Sequence, residues 1–357
     1  MEAALPALAV KPIRVLVVED SDLFRAQIRR TLAVDPEFEV VGEAADGCAA
    51  VAAAIALRPD VVTMDVEMPV MNGIDAVRQI MRLAPTRIVM LSAFTLANTT
   101  ATLAALEAGA IDFIAKRVLP DAVDTTAAHG LRQRLKLLAQ GQLGAAARPL
   151  AGLRPAGVPP TARAGRYFGE RALLVLGAST GGPALLGDLL SVLPAHFPCA
   201  VLVAVHLPQA FSAAFAQRLN ARCCLPVMEA SPGAALLPGR VLVAPGGRQT
   251  RVLRVGGTLH TQVTAGADDE RYRPSLDRLL GSVGSSAGAG ALAVVLTGMG
   301  SDGSLGARAL AAAGGTLWAQ DEASSAMFGM PAALIRTGLA AEVVSASQLA
   351  RRLAQGL

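Results

Sequence analysis

The stretch Leu173-Leu174-Val175-Leu176-Gly177-Ala178-Ser179-Thr180-Gly181-Gly182-Pro183 decides how this chain is read. A short apolar run gives way to small residues, then to a helical pattern from Pro183 to Leu193. An apolar run of this length predicts a buried strand, and Pro at the first helical position marks a helix start. A strand feeding a helix through a glycine-rich turn leaves backbone N–H groups free at the turn. Ser179 therefore stands at the carboxyl end of a strand. The turn can cradle a phosphate, present a serine nucleophile, or be a plain tight turn of small residues.

Working outward, the β/α alternation continues. Val201–Val205 reads as a strand ending at His206-Leu207-Pro208, with a helix over Ser212–Arg222. Val241–Ala244 runs into Pro245-Gly246-Gly247. Thr250–Val255 and Thr258–Val263, joined across Gly256-Gly257, read as a β-hairpin. A helix starts at Ser275, and Leu292–Leu296 is a strand ending in Thr297-Gly298-Met299-Gly300-Ser301-Asp302-Gly303. A further strand is expected at Thr316–Ala319. Ser179, His206 and Asp302 thus lie just past the carboxyl ends of three strands. A Ser-His-Asp triad is defined by geometry rather than chain order, so the order Ser…His…Asp permits one. The remaining histidines are poorer candidates: His129 lies in a linker, His196 in a loop after a helix, and His260 on the hairpin. The P-loop lysine is missing and the glycines lack dinucleotide-binding spacing, which weakens the phosphate reading.

The N-terminal third shows the same alternation. Strands are expected at Ile13–Val18, Val40–Gly42, Asp60–Met64, Arg87–Leu91 and Ala110–Ala115. The helices between them imply a parallel sheet covered on both faces. Glu19, Asp20, Asp65, Ser92 and Lys116 all fall at carboxyl ends of these strands, the edge that carries ligands in open α/β sheets. Three carboxylates at one edge repel unless a cation joins them, and oxygen-only donors favour Mg2+ with a phosphate partner. A lysine and a hydroxyl at the same edge could hold a phosphoryl group on Asp65.

Composition agrees with two folded domains. The chain has 357 residues, 53% hydrophobic and 17% charged, enough for real cores. A net charge of +4 is too weak to predict nucleic-acid binding. The four cysteines match no zinc or redox spacing and read as free thiols. Met1–Val10 lacks a basic leader, and no apolar stretch reaches spanning length, so a cytoplasmic protein without membrane insertion is expected. Residues 121–169 are rich in Pro, Ala and Gly and read as a flexible linker, with a short amphipathic helix over Leu131–Leu138.

Two resemblances sharpen these readings. Val-Val-Glu19-Asp20-Ser, Met-Asp65-Val-Glu-Met-Pro69-Val-Met-Asn72-Gly73, Met-Leu-Ser92-Ala and Asp-Phe113-Ile-Ala-Lys116 resemble the response-regulator receiver domain over residues 12–120. This implies a flavodoxin-like fold, with Asp65 phosphorylated by a histidine kinase and Mg2+ held by Glu19, Asp20 and Asp65. Ser92 and Lys116 would contact the phosphoryl group, and Phe113 would be the switch aromatic. Arg117 stands where receivers usually have proline. Gly-Ala-Ser179-Thr180-Gly-Gly, Val-His206-Leu-Pro, Ala-Pro245-Gly-Gly, Arg273-Pro274-Ser275-Leu-Asp277, Leu-Thr-Gly-Met299-Gly-Ser-Asp302-Gly and Gln320-Asp321-Glu-Ala-Ser…Phe-Gly-Met-Pro331 appear in the order found in chemotaxis protein-glutamate methylesterases of the CheB type.

That second resemblance implies a doubly wound, mostly parallel esterase domain over 170–357. Ser179 would be nucleophile, His206 general base and acid, and Asp302 the orienting carboxylate. Met299 would supply the oxyanion N–H, with Thr180 in support. The implied activity is phosphorylation-activated hydrolysis of glutamate methyl esters on chemoreceptors, with glutamine deamidation besides. The receiver would cover the esterase site until Asp65 is phosphorylated, no cofactor would serve the ester step, and a monomer is expected. Gln249 stands where family members often have histidine. Two other readings stay open: a phospho-dependent docking protein of a chemosensory pathway with weak or no esterase activity, and an esterase for small esters.

Overall fold

The computed structural model describes residues 11–92, 96–116, 126–140, 172–267 and 269–356. They form two compact units: residues up to 92 with 112–140, and residues 96–111 with those from 172 onward. In chain order the first unit holds β1 (Ile13–Val18), α1 (Asp22–Ala33), β2 (Phe38–Ala44), α2 (Gly47–Leu57), β3 (Val61–Asp65), α3 (Gly73–Leu83) and β4 (Arg87–Ser92). α4 (Leu96–Ala108) counts with the second unit, and β5 (Asp112–Ala115) and α5 (Thr126–Gln140) complete the first.

The five strands run parallel in the order β2-β1-β3-β4-β5, as the alternation predicts. β1, β3 and β4 are apolar and almost wholly buried, as strands covered on both faces must be. Register sets the polar edge. Val18 pairs with Met64, Asp65 with Leu91 and Ser92 with Ala115, so the residues at and just past these ends gather on one side. Ser21, Asp46 and Asn72 are N-caps whose side chains accept from backbone N–H groups two or three residues inside α1, α2 and α3.

One expectation changes. The linker expected from residue 121 instead contains a full helix, α5, longer than the Leu131–Leu138 piece. Ala128, Leu131, Leu135 and Leu138 form a buried stripe at helical spacing. Its cations are also not free for an outside partner: Arg134 forms a forked bond with Asp112, and Lys136 pairs with Asp35 and Glu37. Arg117 and residues 141–171 lie outside the described residues.

The second unit continues with β6 (Leu173–Ala178), α6 (Gly182–Ser191), β7 (Ala200–Val205), α7 (Gln209–Arg222), β8 (Val227–Glu229) and β9 (Val241–Val243). The hairpin β10 (Gln249–Val255) and β11 (Thr258–Thr264) precedes α8 (Leu276–Ser286), β12 (Ala291–Val295), α9 (Ser304–Ala312) and β13 (Thr316–Gln320). α10 (Met330–Arg336), β14 (Glu342–Val344) and α11 (Ala346–Ala354) finish it. Seven parallel strands lie in the order β14-β13-β12-β6-β7-β9-β8, and β10–β11 forms a separate antiparallel pair.

β6, the first strand, lies inside the sheet, with β7 on one side and β12 on the other. The winding reverses there, and a crevice opens outside the carboxyl ends at such a reversal. Leu173, Leu174, Val175 and Leu176 are fully buried, which pins β6 and hence the turn that follows it. Among the described residues no helix is long and apolar enough to cross a membrane.

Candidate active site

Ser179 leaves β6, His206 leaves β7 and Asp302 follows β12, so three adjacent strands deliver the triad candidates to one edge. Backbone bonds tie their loops together. Ser179 N–H donates to Thr297 O at 3.0 Å, and His206 N–H donates to Ala178 O at 3.2 Å. Thr297 Oγ1 donates to Thr180 O at 2.9 Å and accepts from Met327 N–H at 2.9 Å. Gly298 packs so closely that a Cβ there would lie 2.9 Å from Ser179 Cβ, so a side chain at 298 would displace the serine. Gly181 is the N-cap of α6 at φ +77°, a conformation that favours glycine.

His206 Nε2 bonds Asp302 Oδ2 at 2.8 Å. Nδ1 is buried and has no hydrogen-bond partner among the described residues. The carboxylate therefore engages Nε2, the reverse of the serine-protease arrangement in which it holds Nδ1. Nδ1 is left as the nitrogen able to take a proton.

Asp302 is 3% exposed and holds its charge by accepting at both oxygens. Oδ2 also accepts from Leu276 N–H at 2.7 Å; Oδ1 accepts from Ser275 Oγ–H and Asp277 N–H, each at 3.0 Å. These donors are the first turn of α8 and its N-cap, where a negative charge is favoured. Burial works against the charge, but the bonds from His206, Asp277 and Leu276 outweigh it and hold the carboxyl below its usual range.

The arrangement is reciprocal. Asp277 Oδ1 accepts from Gly303, Leu305 and Gly306 N–H at 2.8–2.9 Å, capping α9. Burial first, then the Asp302 charge, pushes Asp277 above the usual carboxylate range. The start of α8 is thus closed by Asp302 from the loop before α9, and the start of α9 by Asp277 from the first turn of α8, which fixes Asp302 relative to α8. The pattern Arg273-Pro274-Ser275-Leu276-Asp277 signals a capped helix start, but only the fold aims it at Asp302.

The other expected residues fall as follows. Met299 N–H, in the loop after β12, donates to no acceptor among the described residues. Thr180 is buried in the turn beside Ser179. Gln249 is 1% exposed and turned inward. It donates to Glu270 Oε2 at 2.7 Å and Tyr272 O at 2.8 Å, and accepts from Ser275 N–H at 2.9 Å. It is a buried support rather than a group open to substrate. His260 bonds Gly233 O at 3.0 Å on the hairpin. Tyr272, which sequence reasoning missed, stacks on His206 with ring centroids 4.6 Å apart and planes 13° apart.

In the first unit, carboxylate oxygens of Glu19, Asp20 and Asp65 lie within 4.8 Å of one another. Lys116 Nζ bridges Glu19 Oε1 at 2.9 Å and Asp65 Oδ2 at 2.8 Å. Asp65 Oδ1 accepts from Val66 N–H at 2.7 Å. Burial, reinforced by the Asp65 charge, pushes the Glu19 carboxyl up to about 7. Burial also raises Asp65, against the pull of Lys116. Glu19 Oε2 is buried with no partner among the described residues. An oxygen-only donor set with one unmatched buried acceptor fits a small divalent cation such as Mg2+. Ser92 is buried at the carboxyl end of β4, and Phe113 is buried inside β5, paired with Met90.

Comparison with known proteins identifies the family of each unit. The family model of the CheB methylesterase matches residues 174–353, and that of the response regulator receiver domain matches residues 15–128. A protein-glutamate methylesterase/protein-glutamine glutaminase of Alkalilimnicola ehrlichii is 42% identical, covering 96% of this chain and 99% of its own. One of Geobacter sulfurreducens is 40% identical over 97% of this chain and 98% of its own. The crystal structure of the Thermotoga maritima CheB methylesterase catalytic domain superposes with a TM-score of 0.50 at 33% identity, covering 52% of this chain and 99% of that domain. The chain belongs to the CheB methylesterase family and carries a response-regulator receiver domain at its N-terminal side.

Proposed function

We propose that this chain is a phosphorylation-activated hydrolase that removes methyl esters from glutamate side chains of chemoreceptors and deamidates receptor glutamines. The observation that carries the reading is the His206 Nε2–Asp302 bond of 2.8 Å beside a buried, unpartnered Nδ1, on strands next to the one that presents Ser179. An imidazole tethered at one nitrogen and open at the other is what a serine needs as base.

Ser179 Oγ attacks the ester carbonyl carbon while its proton passes to His206 Nδ1. The negative charge on the former carbonyl oxygen meets the Met299 N–H, and Thr180 keeps the turn in shape. The tetrahedral species collapses, the bond to the methoxy oxygen breaks, and the imidazolium returns its proton so that methanol leaves. Water attacks the acyl-enzyme by the same route, giving a glutamate carboxylate and restoring the serine. With glutamine the leaving group is ammonia. Asp302 keeps the Nε2 proton in place and supports the imidazolium. Loss of an oxyanion donor typically costs about 3–4 kcal/mol in the barrier.

In the receiver, residues 12–120 by this reading, Asp65 accepts a phosphoryl group from a histidine kinase. Lys116 and Ser92 contact it, and Phe113 reports the change. Glu19, Asp20 and Asp65 would hold Mg2+, which when bound neutralises phosphoryl charge at Asp65. A shift of a few kcal/mol between two arrangements of the chain suffices for regulation. A cytoplasmic location follows from the kinase and receptor partners. The test is methanol release from methylated receptors by the full chain, with and without a small phosphodonor. Ser179→Ala abolishes release, and Asp65→Asn removes the acceleration. Unchanged release in Ser179→Ala overturns the reading.

A further inference from the structure

A single hydrogen bond leaves an imidazole free to turn about that bond. The Nε2–Asp302 contact fixes one point on the His206 ring, and Nδ1 has no partner among the described residues to fix a second. The plane of the ring is set by Tyr272, whose ring lies 13° from parallel at 4.6 Å between centroids. Tyr272 is itself held from behind, because Gln249 Nε2 donates to its carbonyl at 2.8 Å. The same Gln249 accepts from Ser275 N–H at 2.9 Å, and Ser275 Oγ–H donates to Asp302 Oδ1 at 3.0 Å. The contacts close into a circuit: Gln249, Tyr272, His206, Asp302, Ser275 and back to Gln249.

We infer that Tyr272 is a positioning residue for His206, and that Gln249 sets the spacing between Tyr272 and the Ser275–Asp302 contact. The inference rests on the esterase reading above and deepens it. A rigid aromatic face restrains the imidazole with Nδ1 in its working direction, and such restraint is worth large factors in rate. The face gains a second role once Nδ1 takes the serine proton, since an aromatic ring attracts the imidazolium. The charged groups around the ring are Asp302 at Nε2, Asp277 behind it at the start of α8, and Arg271, whose guanidinium lies 5.2 Å from the Tyr272 ring centroid. Gln249, at 1% exposure, acts from inside the fold without touching substrate.

The test uses the full chain with Tyr272→Leu, Tyr272→Phe and Gln249→Met. Two quantities are read: kcat and KM for methanol release, and the His206 imidazole titration by NMR without substrate. Tyr272→Leu lowers kcat roughly 10–100-fold with KM within about twofold, and moves the His206 midpoint down by about half a pH unit. Tyr272→Phe, which keeps the ring face, recovers most of the rate and the midpoint. Gln249→Met slows kcat, and combined with Tyr272→Leu adds little, because both act on the same ring. If Tyr272→Leu does not fold, Tyr272→Phe and Gln249→Met carry the test. An unshifted midpoint with unchanged kcat in Tyr272→Leu overturns the inference, as does a Tyr272→Phe as slow as the leucine variant. Absence of methanol release by the unmodified chain sinks the esterase reading instead, and leaves the titration to decide on Tyr272.

Discussion

Replacing Asp302 by asparagine keeps the shape of the side chain and changes two of its four contacts. All four groups that approach Asp302 are donors: His206 Nε2, Leu276 N, Ser275 Oγ and Asp277 N. Asparagine has one acceptor oxygen and one NH2, so two donors lose their acceptor whichever way the amide faces. If the NH2 faces His206, it donates to Nε2 and moves the ring proton to Nδ1, the nitrogen that must be empty to accept from Ser179. If it faces Ser275 and Asp277, the start of α8 loses its cap and the imidazolium loses its counter-charge. In the first case kcat should fall by up to about 10⁴-fold, the effect of a wrong tautomer in serine hydrolases. The backbone donor left unpaired, Leu276 N–H in the first case or Asp277 N–H in the second, costs about 1–3 kcal/mol, which lowers the melting temperature by several degrees in a unit of this size.

The stability effect depends on pH with a definite sign. The folded Asp302 carboxyl lies below its usual value. Its contribution is therefore complete above the unfolded value, near pH 4, and fades as pH falls through the folded value. The melting difference between the parent chain and Asp302→Asn should be full at pH 7 and shrink in strong acid. Calorimetry across pH and methanol release at pH 7 measure both. A variant that retains kcat within tenfold, or a melting difference that grows in acid, refutes the reasoning.

Thr297→Val removes the hydroxyl that joins Thr180 O to Met327 N–H in a fully buried position. We expect a loss of about 1–3 kcal/mol and a lower kcat with little change in KM, measured by denaturant unfolding and kinetics. Asp20→Asn removes the exposed member of the carboxylate cluster. It should raise the Mg2+ concentration needed for half-maximal phosphorylation of Asp65 by roughly tenfold, and a chelator should abolish phosphorylation of the parent chain while esterase activity without phosphodonor persists. Burial pushes the Cys223 thiol up to about 11, whereas Cys48 and Cys224 are exposed. Alkylation at pH 8 followed by peptide mass spectrometry should find Cys48 and Cys224 modified well before Cys223.

The sheet edges that carry both sites were legible because strand ends and chemistry coincide in the sequence. Apolar runs closing on Glu19, Asp65, Ser92, Ser179 and His206 give each residue an address before any coordinates exist. The edge strands β8 and β14 were not legible, since three residues each leave no usable periodicity. Of α5 only the Leu131–Leu138 part is legible in the sequence; its first turn adjoins a stretch without periodicity, and Ala128 extends the buried stripe of Leu131, Leu135 and Leu138 only in the fold. Which imidazole nitrogen meets Asp302 depends on the directions in which two loops leave the sheet, and no spacing encodes that. Tyr272, Ser275 and Asp277 come from a loop and a helix cap whose aim is set by the buried Gln249. Gln249, which stands where family members often have histidine, is in the fold bonded to Glu270, Tyr272 and Ser275.

The central claim is that Ser179 carries the acyl group during ester hydrolysis. The direct measurement is to quench the full chain during turnover with a methylated receptor, then assay methanol and map covalent adducts in the same samples. The account predicts a receptor glutamyl ester on Ser179, more abundant with phosphodonor, and neither adduct nor methanol in Ser179→Ala. Methanol formed at the parent rate by Ser179→Ala, with no adduct on the parent enzyme, would contradict it.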